Sequence, residues 1–230
     1  MPMTNTLPKS HRPENVGVEG FIGPAKDIAA LFRDKLVPRY KEAKVPAFFL
    51  LWGEPGVAKT SLGKYAMKLF GVEGFNQVDY SGTDMTLERV QNFAQDLRMP
   101  SMFEGFRGYL FDEIDAMPRV AQVRFLKLCD DVADGRYQTR NGTVIVATCN
   151  SKLSELEKRF QSRFQSFEVQ GPSKEETVKF LSNWIDPTQA TSLVQGFIDG
   201  AAEQDGVHPS FVRMDVRCLL QDATTMMLMK

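Results

Sequence analysis

The segment Gly53-Glu54-Pro55-Gly56-Val57-Ala58-Lys59-Thr60-Ser61 constrains this chain more than any other. It follows an apolar run, Ala47-Phe48-Phe49-Leu50-Leu51-Trp52, and precedes a stretch in which Leu62, Ala66 and Leu69 recur at spacings of 4 and 3. The run is short and ends at glycine, which predicts a buried strand. The spacing after it places three apolar side chains on one helical face. A glycine-bearing turn from a buried strand into a helix aims backbone N–H groups and a helix N-terminus at one spot, and both attract anions. Gly53 and Gly56 permit the unusual dihedrals that such a turn needs. The order strand, loop, lysine, threonine, helix is that of a phosphate-binding P-loop. Residues 53–61 are then the nucleotide-binding stretch for ATP, with Lys59 reaching the β- and γ-phosphates and the Thr60 hydroxyl ligating Mg²⁺. The competing reading is a strand-to-helix turn with an incidental lysine. Position 58 is alanine where the pattern has glycine. Because alanine tolerates positive φ poorly, a helical or nearly helical backbone is expected there.

The remaining periodicities extend the strand–helix alternation. Strand-like runs recur at Phe75–Tyr80, Gly108–Phe111, Thr143–Thr148 and Phe167–Val169. Between them lie helical patterns: Ile28, Leu31 and Leu36 within Ala25–Leu36; Leu87, Val90, Phe93 and Leu97; Ala121, Phe125, Leu128 and Val132; Leu153, Leu156 and Phe160. Fully apolar strands separated by helices predict an α/β fold, a five-stranded parallel P-loop NTPase sheet with helices on both faces. Gly171-Pro172 breaks the rhythm. Ser173-Lys174-Glu175-Glu176 after it reads as a capping box, and Asp186-Pro187 as a second helix start. No further strand is expected, so residues 171–230 form a small all-helical lid, residues 20–170 the nucleotide-binding core, and the proline-bearing residues 1–19 an arm outside the folded elements.

Two strand ends carry the chemistry. Asp112-Glu113 closes the apolar run Gly108-Tyr109-Leu110-Phe111, and two carboxylates at the end of a buried strand are costly without a task. Asp112 suits support of Mg²⁺, and Glu113 suits polarising the water that attacks a γ-phosphate. Thr143–Asn150 is a second apolar strand with a polar tip. In a parallel sheet the carboxyl ends share one edge, where ligands bind. Asn150 there either senses the γ-phosphate or caps a helix over 152–161. Arg159 and Arg163 are four apart, so they share a helix face; each is either an arginine finger or a surface ion-pair partner. Arg213 and Arg217 offer the same choice in the last helical region, as a lid sensor or a solvated charge.

Composition removes other classes. With 43% hydrophobic residues the chain is not disordered throughout. The longest apolar stretch, Val45–Trp52, falls far short of the roughly 20 residues of a membrane span, and no signal-peptide pattern opens the chain. Three widely spaced cysteines build neither a disulfide framework nor a zinc site. A cytoplasmic protein (nucleoid or nuclear where the cell has those compartments), not secreted, is expected. The net charge of −1 excludes a uniformly basic nucleic-acid binder; it hides 5 basic and 8 acidic residues in 171–230, net −3, against +2 on residues 1–170.

The order of these motifs resembles that of the AAA+ ATPases, from about Lys9 to Ala223. Within that superfamily the chain looks most like clamp-loader small subunits of the replication factor C type. His11-Arg12-Pro13 with Gly20-Phe21-Ile22-Gly23 is similar to their adenine-side box. Val78-Asp79-Tyr80-Ser81 is similar to their polar strand end, and Asp112-Glu113-Ile114-Asp115 to their acidic strand end. Cys149-Asn150, Ser162-Arg163-Phe164 and Asp215-Val216-Arg217 are similar to their sensor, finger and lid-sensor segments. The resemblance implies a ring or spiral of like or unlike subunits with ATP at their boundaries. Glu113, Asn150, Arg163 and Arg217 would be the catalytic set, with Arg163 acting on the neighbour's site. It also implies primer–template DNA and a sliding clamp as partners, with Arg89, Arg119, Arg124 and Lys127 as phosphate-contacting candidates. The Pro55–Lys59 loop and Ser162-Arg163-Phe164 also resemble minichromosome maintenance helicases and MoxR-type remodellers, as does Asp134–Gly142. A MoxR-type protein remodeller without a DNA role is therefore the second reading, and a slowly hydrolysing nucleotide-gated platform the third. His11 and His208 are expected to be solvent-exposed.

Overall fold

A computed structural model describes residues 7, 10–99, 105–137, 142–153, 156, 158–205 and 214–229. Five strands, β1 (Ala47–Trp52), β2 (Gln77–Ser81), β3 (Arg107–Asp112), β4 (Thr143–Cys149) and β5 (Gln165–Glu168), form one sheet in the order β2-β3-β4-β1-β5. Every neighbouring pair is parallel. All seven residues of the central β4 are buried, while the edge strands β2 and β5 are half open. That gradient is what a parallel sheet covered on both faces requires.

The helices run in chain order: α1 (Pro13–Val16), α2 (Pro24–Leu31), α3 (Val37–Ala43), α4 (Lys59–Leu69), α5 (Leu87–Arg98), α6 (Arg119–Ala133), α7 (Lys158–Arg163), α8 (Lys174–Leu181), α9 (Pro187–Asp205) and α10 (Val216–Leu228). The chain divides into two compact units. One comprises Ile28–Gly53 and Lys59–Glu168; the other comprises Met1–Asp27, Glu54–Ala58 and Val169–Lys230.

In the sheet unit, the period of 2 along each strand sorts side chains onto two faces. Leu50, Tyr109, Phe111, Ile145 and Ala147 join Phe93 of α5, Phe125 of α6 and Phe160 of α7 in one apolar cluster. Its aromatic rings are in contact, with Phe111 and Phe125 centroids 4.5 Å apart. Removing one such ring costs about 3–5 kcal/mol. On the opposite face α4 lies close to the sheet. A β-carbon on Gly63 would sit 3.0 Å from both Leu110 Cδ1 and Val146 Cγ1. This close packing sets the first turn of α4 against the carboxyl ends of β3 and β4.

The second unit contains a smaller core of Leu181, Ile185, Ala190, Val194, Met214, Leu219 and Ala223. Ser173 caps α8 through the expected capping box, and Pro187 opens α9. Met226 and Met227 pack against this core.

Several local expectations are corrected. Phe75 is not part of β2; it lies in a 3₁₀ turn (Gly74–Asn76) and is 91% exposed. Ala25, Ala29 and Phe32 form the buried face of the helical stretch from Pro24, with Ile28 and Leu31 half-buried; a five-residue π turn, Phe32–Leu36, then makes Val37 the next buried residue and leaves Leu36 half-buried. The wider turn shifts the apolar stripe by one position, which a fixed 3.6-residue period misses. Leu153 lies in a turn, and the described helix begins only at Lys158. Within residues 1–19, expected as an arm, lie α1 and the start of a 3₁₀ turn at Val18–Gly20. His11, expected to be exposed, is buried: its Nε2 lies 2.8 Å from the Gly20 carbonyl oxygen, and its ring meets Phe180 and Trp184 edge-on. His208 lies outside the described residues.

Candidate active site

The glycine loop departs from β1 with the Gly53 N–H donating to the Cys149 carbonyl at 3.2 Å. Gly53 and Gly56 both take positive φ, 147° and 80°. Ala58 takes φ 71°, so the helical backbone expected there gives way to a left-handed one. An L-residue with a β-carbon pays about 1–2 kcal/mol for that geometry, and glycine would avoid the cost. Lys59 opens α4 with its side chain buried, and its ammonium donates to the Gly53 carbonyl at 2.8 Å. The lysine thus reaches back to the residue just after β1.

The carboxyl ends of β3 and β4 meet through register. Phe111 pairs with Ala147, so Asp112 and Thr148 come next side by side. Even-numbered residues of both strands face α4, as Leu110 and Val146 do, which brings Asp112 and Thr148 to Thr60. Thr60 Oγ1 donates to Asp112 Oδ1 at 2.8 Å, and Thr148 Oγ1 donates to the same oxygen at 2.5 Å. The Thr148 oxygen in turn accepts the Glu113 N–H at 2.9 Å. Glu113 Oε1 accepts from the Asn150 side-chain amide at 3.1 Å. One connected chain therefore runs Thr60, Asp112, Thr148, Glu113, Asn150.

Glu113 itself is left-handed, φ 57° and ψ 54°, at the mouth of a 3₁₀ turn (Ile114–Ala116). Its carbonyl is pressed by Gly82, where a β-carbon would lie 1.9 Å from the Glu113 oxygen. Only glycine fits at position 82, and that close approach together with Thr148 holds the Glu113 backbone in its strained form. Asp115 accepts from the Asn150 N–H (3.3 Å), the Ser151 N–H (3.1 Å) and the Ser151 hydroxyl (2.8 Å). Its carboxylate shapes the turn after β4. Asn150 does not cap α7, which starts eight residues later. Burial, reinforced by Asp115, pushes the Cys149 thiol up to about 12, so this cysteine is not a nucleophile near neutral pH.

Thr60 and Asp112 fit a Mg²⁺ site completed by phosphate oxygens. Mg²⁺ takes few protein oxygens and keeps its remaining positions for substrate and water. Among the described residues no cluster of three or more His, Cys, Asp or Glu could hold a metal ion by itself.

The arginines differ. Arg163 ends α7 and forms a two-bond ion pair with Asp130 of α6, Nε to Oδ1 at 2.5 Å and Nη2 to Oδ2 at 2.7 Å. The hydrogen bonds from Arg163 hold the Asp130 carboxyl below its ordinary range and raise Arg163 itself. Arg159 is exposed on the same helix. Arg217 lies exposed in the first turn of α10, and its guanidinium has no partner among the described residues. Arg213 lies outside the described residues.

Thr148, Ser151 and Gly82 are missed by sequence reasoning, and Asp115 is placed there at the acidic strand end without its bonds to Asn150 and Ser151. A threonine in an otherwise apolar strand is the one available signal, and for Thr148 it sat beside Cys149-Asn150.

The chain belongs to the AAA family of ATPases: the family model "ATPase family associated with various cellular activities (AAA)" matches residues 49–172. It is an ATP-binding domain with ATPase activity. No curated protein matches its sequence. Among solved structures, a Thermotoga maritima RuvB variant is similar with a TM-score of 0.61 at 14% identity, over 94% of this chain and 72% of that one. The Thermotoga maritima RuvB Holliday junction branch migration motor gives 0.58 at 16%, over the same shares. The AAA domain of FIGL-1 in complex with ADP gives 0.54 at 16%, over 92% of this chain and 84% of that one. At such identities the likeness is one of fold. No helix among the described residues is long and apolar enough to cross a membrane.

Proposed function

We propose that this ATPase hydrolyses Mg²⁺-ATP at the boundaries of a ring or spiral of subunits and spends the conformational change on DNA, as a clamp-loader-like factor. The hydrogen-bonded chain from Thr60 to Asn150 carries the catalytic part of the reading. It links the residue that would touch metal and phosphate to the carboxylate that would act on water. Residues 53–61 hold the phosphates, and Lys59 turns from the Gly53 carbonyl toward the β- and γ-oxygens. Bound Mg²⁺, held by Thr60 with Asp112 behind it, would neutralise phosphate charge. Glu113 takes a proton from the water whose oxygen attacks the γ-phosphorus, while the bond from that phosphorus to the β–γ bridging oxygen breaks and the oxygen leaves with ADP. Asn150 aims the Glu113 carboxylate. Arg217 binds the phosphates from the lid, and Arg163 serves a neighbour's site.

Two observations support DNA as the partner. One similar structure is named a Holliday junction branch migration motor. Arg89 and Lys127 are exposed, and the acids that follow Lys127 are engaged, Asp130 with Arg163 and Asp131 and Asp134 with Arg136. Lysine and arginine so placed neutralise phosphates without reading sequence. ATP turnover measured with and without primer–template DNA and a sliding clamp tests this: DNA stimulation is expected. Stimulation by a protein substrate alone indicates a MoxR-type remodeller. ATP binding without turnover indicates a nucleotide-gated platform.

A further inference from the structure

Asp215 lies just before α10, and its carboxylate does two things at once. Oδ1 accepts the backbone N–H of Arg217 at 2.9 Å and that of Cys218 at 3.3 Å, which caps the helix. The same carboxylate rests against Gly56 of the glycine loop. A β-carbon on Gly56 would lie 2.3 Å from Oδ1, 2.4 Å from Cγ and 2.7 Å from Oδ2. Gly56 and Asp215 belong to the same compact unit. Nearby, Gly171 approaches the Met214 carbonyl at 3.4 Å and Val57 Cγ1 at 3.8 Å, both measured from its notional β-carbon, so the backbone just before Asp215 is close to the loop's neighbourhood as well.

We infer that Asp215 is a positioning residue that ties Arg217 to the conformation of the loop at Gly56. This rests on the reading of residues 53–61 as the phosphate cradle and of Arg217 as the lid arginine. The backbone group that Asp215 holds most closely is the N–H of Arg217 itself. The loop cannot shift at Gly56 without moving the carboxylate, and moving it uncaps the turn that carries Arg217. The carboxylate is also an anion beside a loop that receives the most charged part of ATP. That charge by itself opposes phosphate binding, so what Asp215 adds for ATP is the cap that holds the turn of Arg217 against the loop. ADP leaves empty the γ-phosphate position at which Arg217 acts, so the placement of Arg217 matters for ATP and not for ADP. Asp215 therefore sets how strongly the lid distinguishes ATP from ADP. The same contact assigns Gly56 a second reason to be glycine, beyond its positive φ: any side chain there displaces the cap.

The test measures ATP and ADP affinities, both with Mg²⁺, for the full chain carrying Glu113→Gln to stop turnover. Arg217→Ala is expected to lose most of its ATP-over-ADP preference. Asp215→Ala should lose it too, on the order of tenfold, the weight of one helix cap, with ADP affinity kept. Asp215→Asn, which keeps a capping oxygen, should restore most of it. Asp215→Ala on top of Arg217→Ala should add nothing. Equal loss of ATP and ADP binding in Asp215→Ala, or a full additional loss in the double variant, overturns the coupling. An Arg217→Ala variant with unchanged preference instead overturns the underlying reading of the lid arginine, and the coupling with it. Circular dichroism of each variant identifies misfolding, and Asp215→Ser, a smaller cap with no charge, then serves in place of the alanine variant. It should keep the helix and lose the part of the preference that comes from contact with Gly56; an unchanged preference would overturn the coupling.

Discussion

The carboxyl edge of the sheet and the first turn of α10 handle their charged groups in opposite ways. At the sheet edge every group is engaged: Asp112 by two threonines, Glu113 by Thr148 and Asn150, Asp115 by three donors, and Arg163 by Asp130. At α10 the backbone of Arg217 is fixed by Asp215, but its guanidinium is exposed and without a partner among the described residues. On the proposed function, the first arrangement would keep the groups around ATP in place before it arrives, which suits stabilisation of developing charge. The second leaves one long cation available for an anion that comes and goes. Arg163 falls on the engaged side. To act on a neighbour it must exchange a carboxylate for a phosphate, so its use carries a cost that Arg217 does not share.

Arg163→Ala strikes hardest at this contrast between engaged and available charges. If Arg163 acts in trans, assembled protein should lose about 10³-fold or more in turnover. Mixing it with Lys59→Ala should restore activity, because intact sites form from one subunit's loop and the other's arginine. Steady-state ATPase of the mixture decides, and no recovery at any ratio counts against an interface site. Glu113→Gln comes next, with a turnover loss of about 10²–10⁴-fold and ATP affinity retained, as read by single-turnover and equilibrium binding. Loss of binding as well would make Glu113 a structural member of the edge.

Smaller effects sharpen the picture. Ala58→Gly relieves a left-handed alanine at φ 71°, and the gain should be below about 1 kcal/mol because glycine is also freer when unfolded. Denaturant unfolding measures it. The smallest change concerns the Asp130–Arg163 pair, whose partners are 44% and 27% exposed. Exposed pairs contribute at most about 1 kcal/mol. Because Arg163 depresses the Asp130 carboxyl, the contribution is full above the unfolded carboxylate value of about 3.9 and is lost as pH falls through the lower folded value. Melting curves of the wild type and Asp130→Asn should differ slightly at neutral pH and converge below about pH 4.

Much of this molecule could be read before its structure. The glycine loop, the acidic strand end and the polar tip at Asn150 are contiguous stretches that stand out by residue type alone. The alternation of apolar runs with helical spacing was enough for the parallel sheet, because burial on both faces leaves few polar residues in a strand. The capping box at Ser173 is equally local. What failed was also local but silent: the π turn at Phe32–Leu36 and the exposed Phe75 depend on packing that hydrophobicity alone does not encode.

Residue types and their spacing by themselves determined the loop, the carboxylates and the layered α/β plan, since each follows from backbone geometry and burial within a few residues. Only the tertiary structure decided which groups are joined. Strand register set Thr148 beside Asp112, Gly82 gave way to the carbonyl of Glu113, Asp130 captured Arg163, and Asp215 came to rest on Gly56. Those pairs are separated by tens to more than a hundred residues, and short hydrogen bonds or close packing create each one. Contacts of that kind exist only once the chain has closed, so no reading along its length could have supplied them.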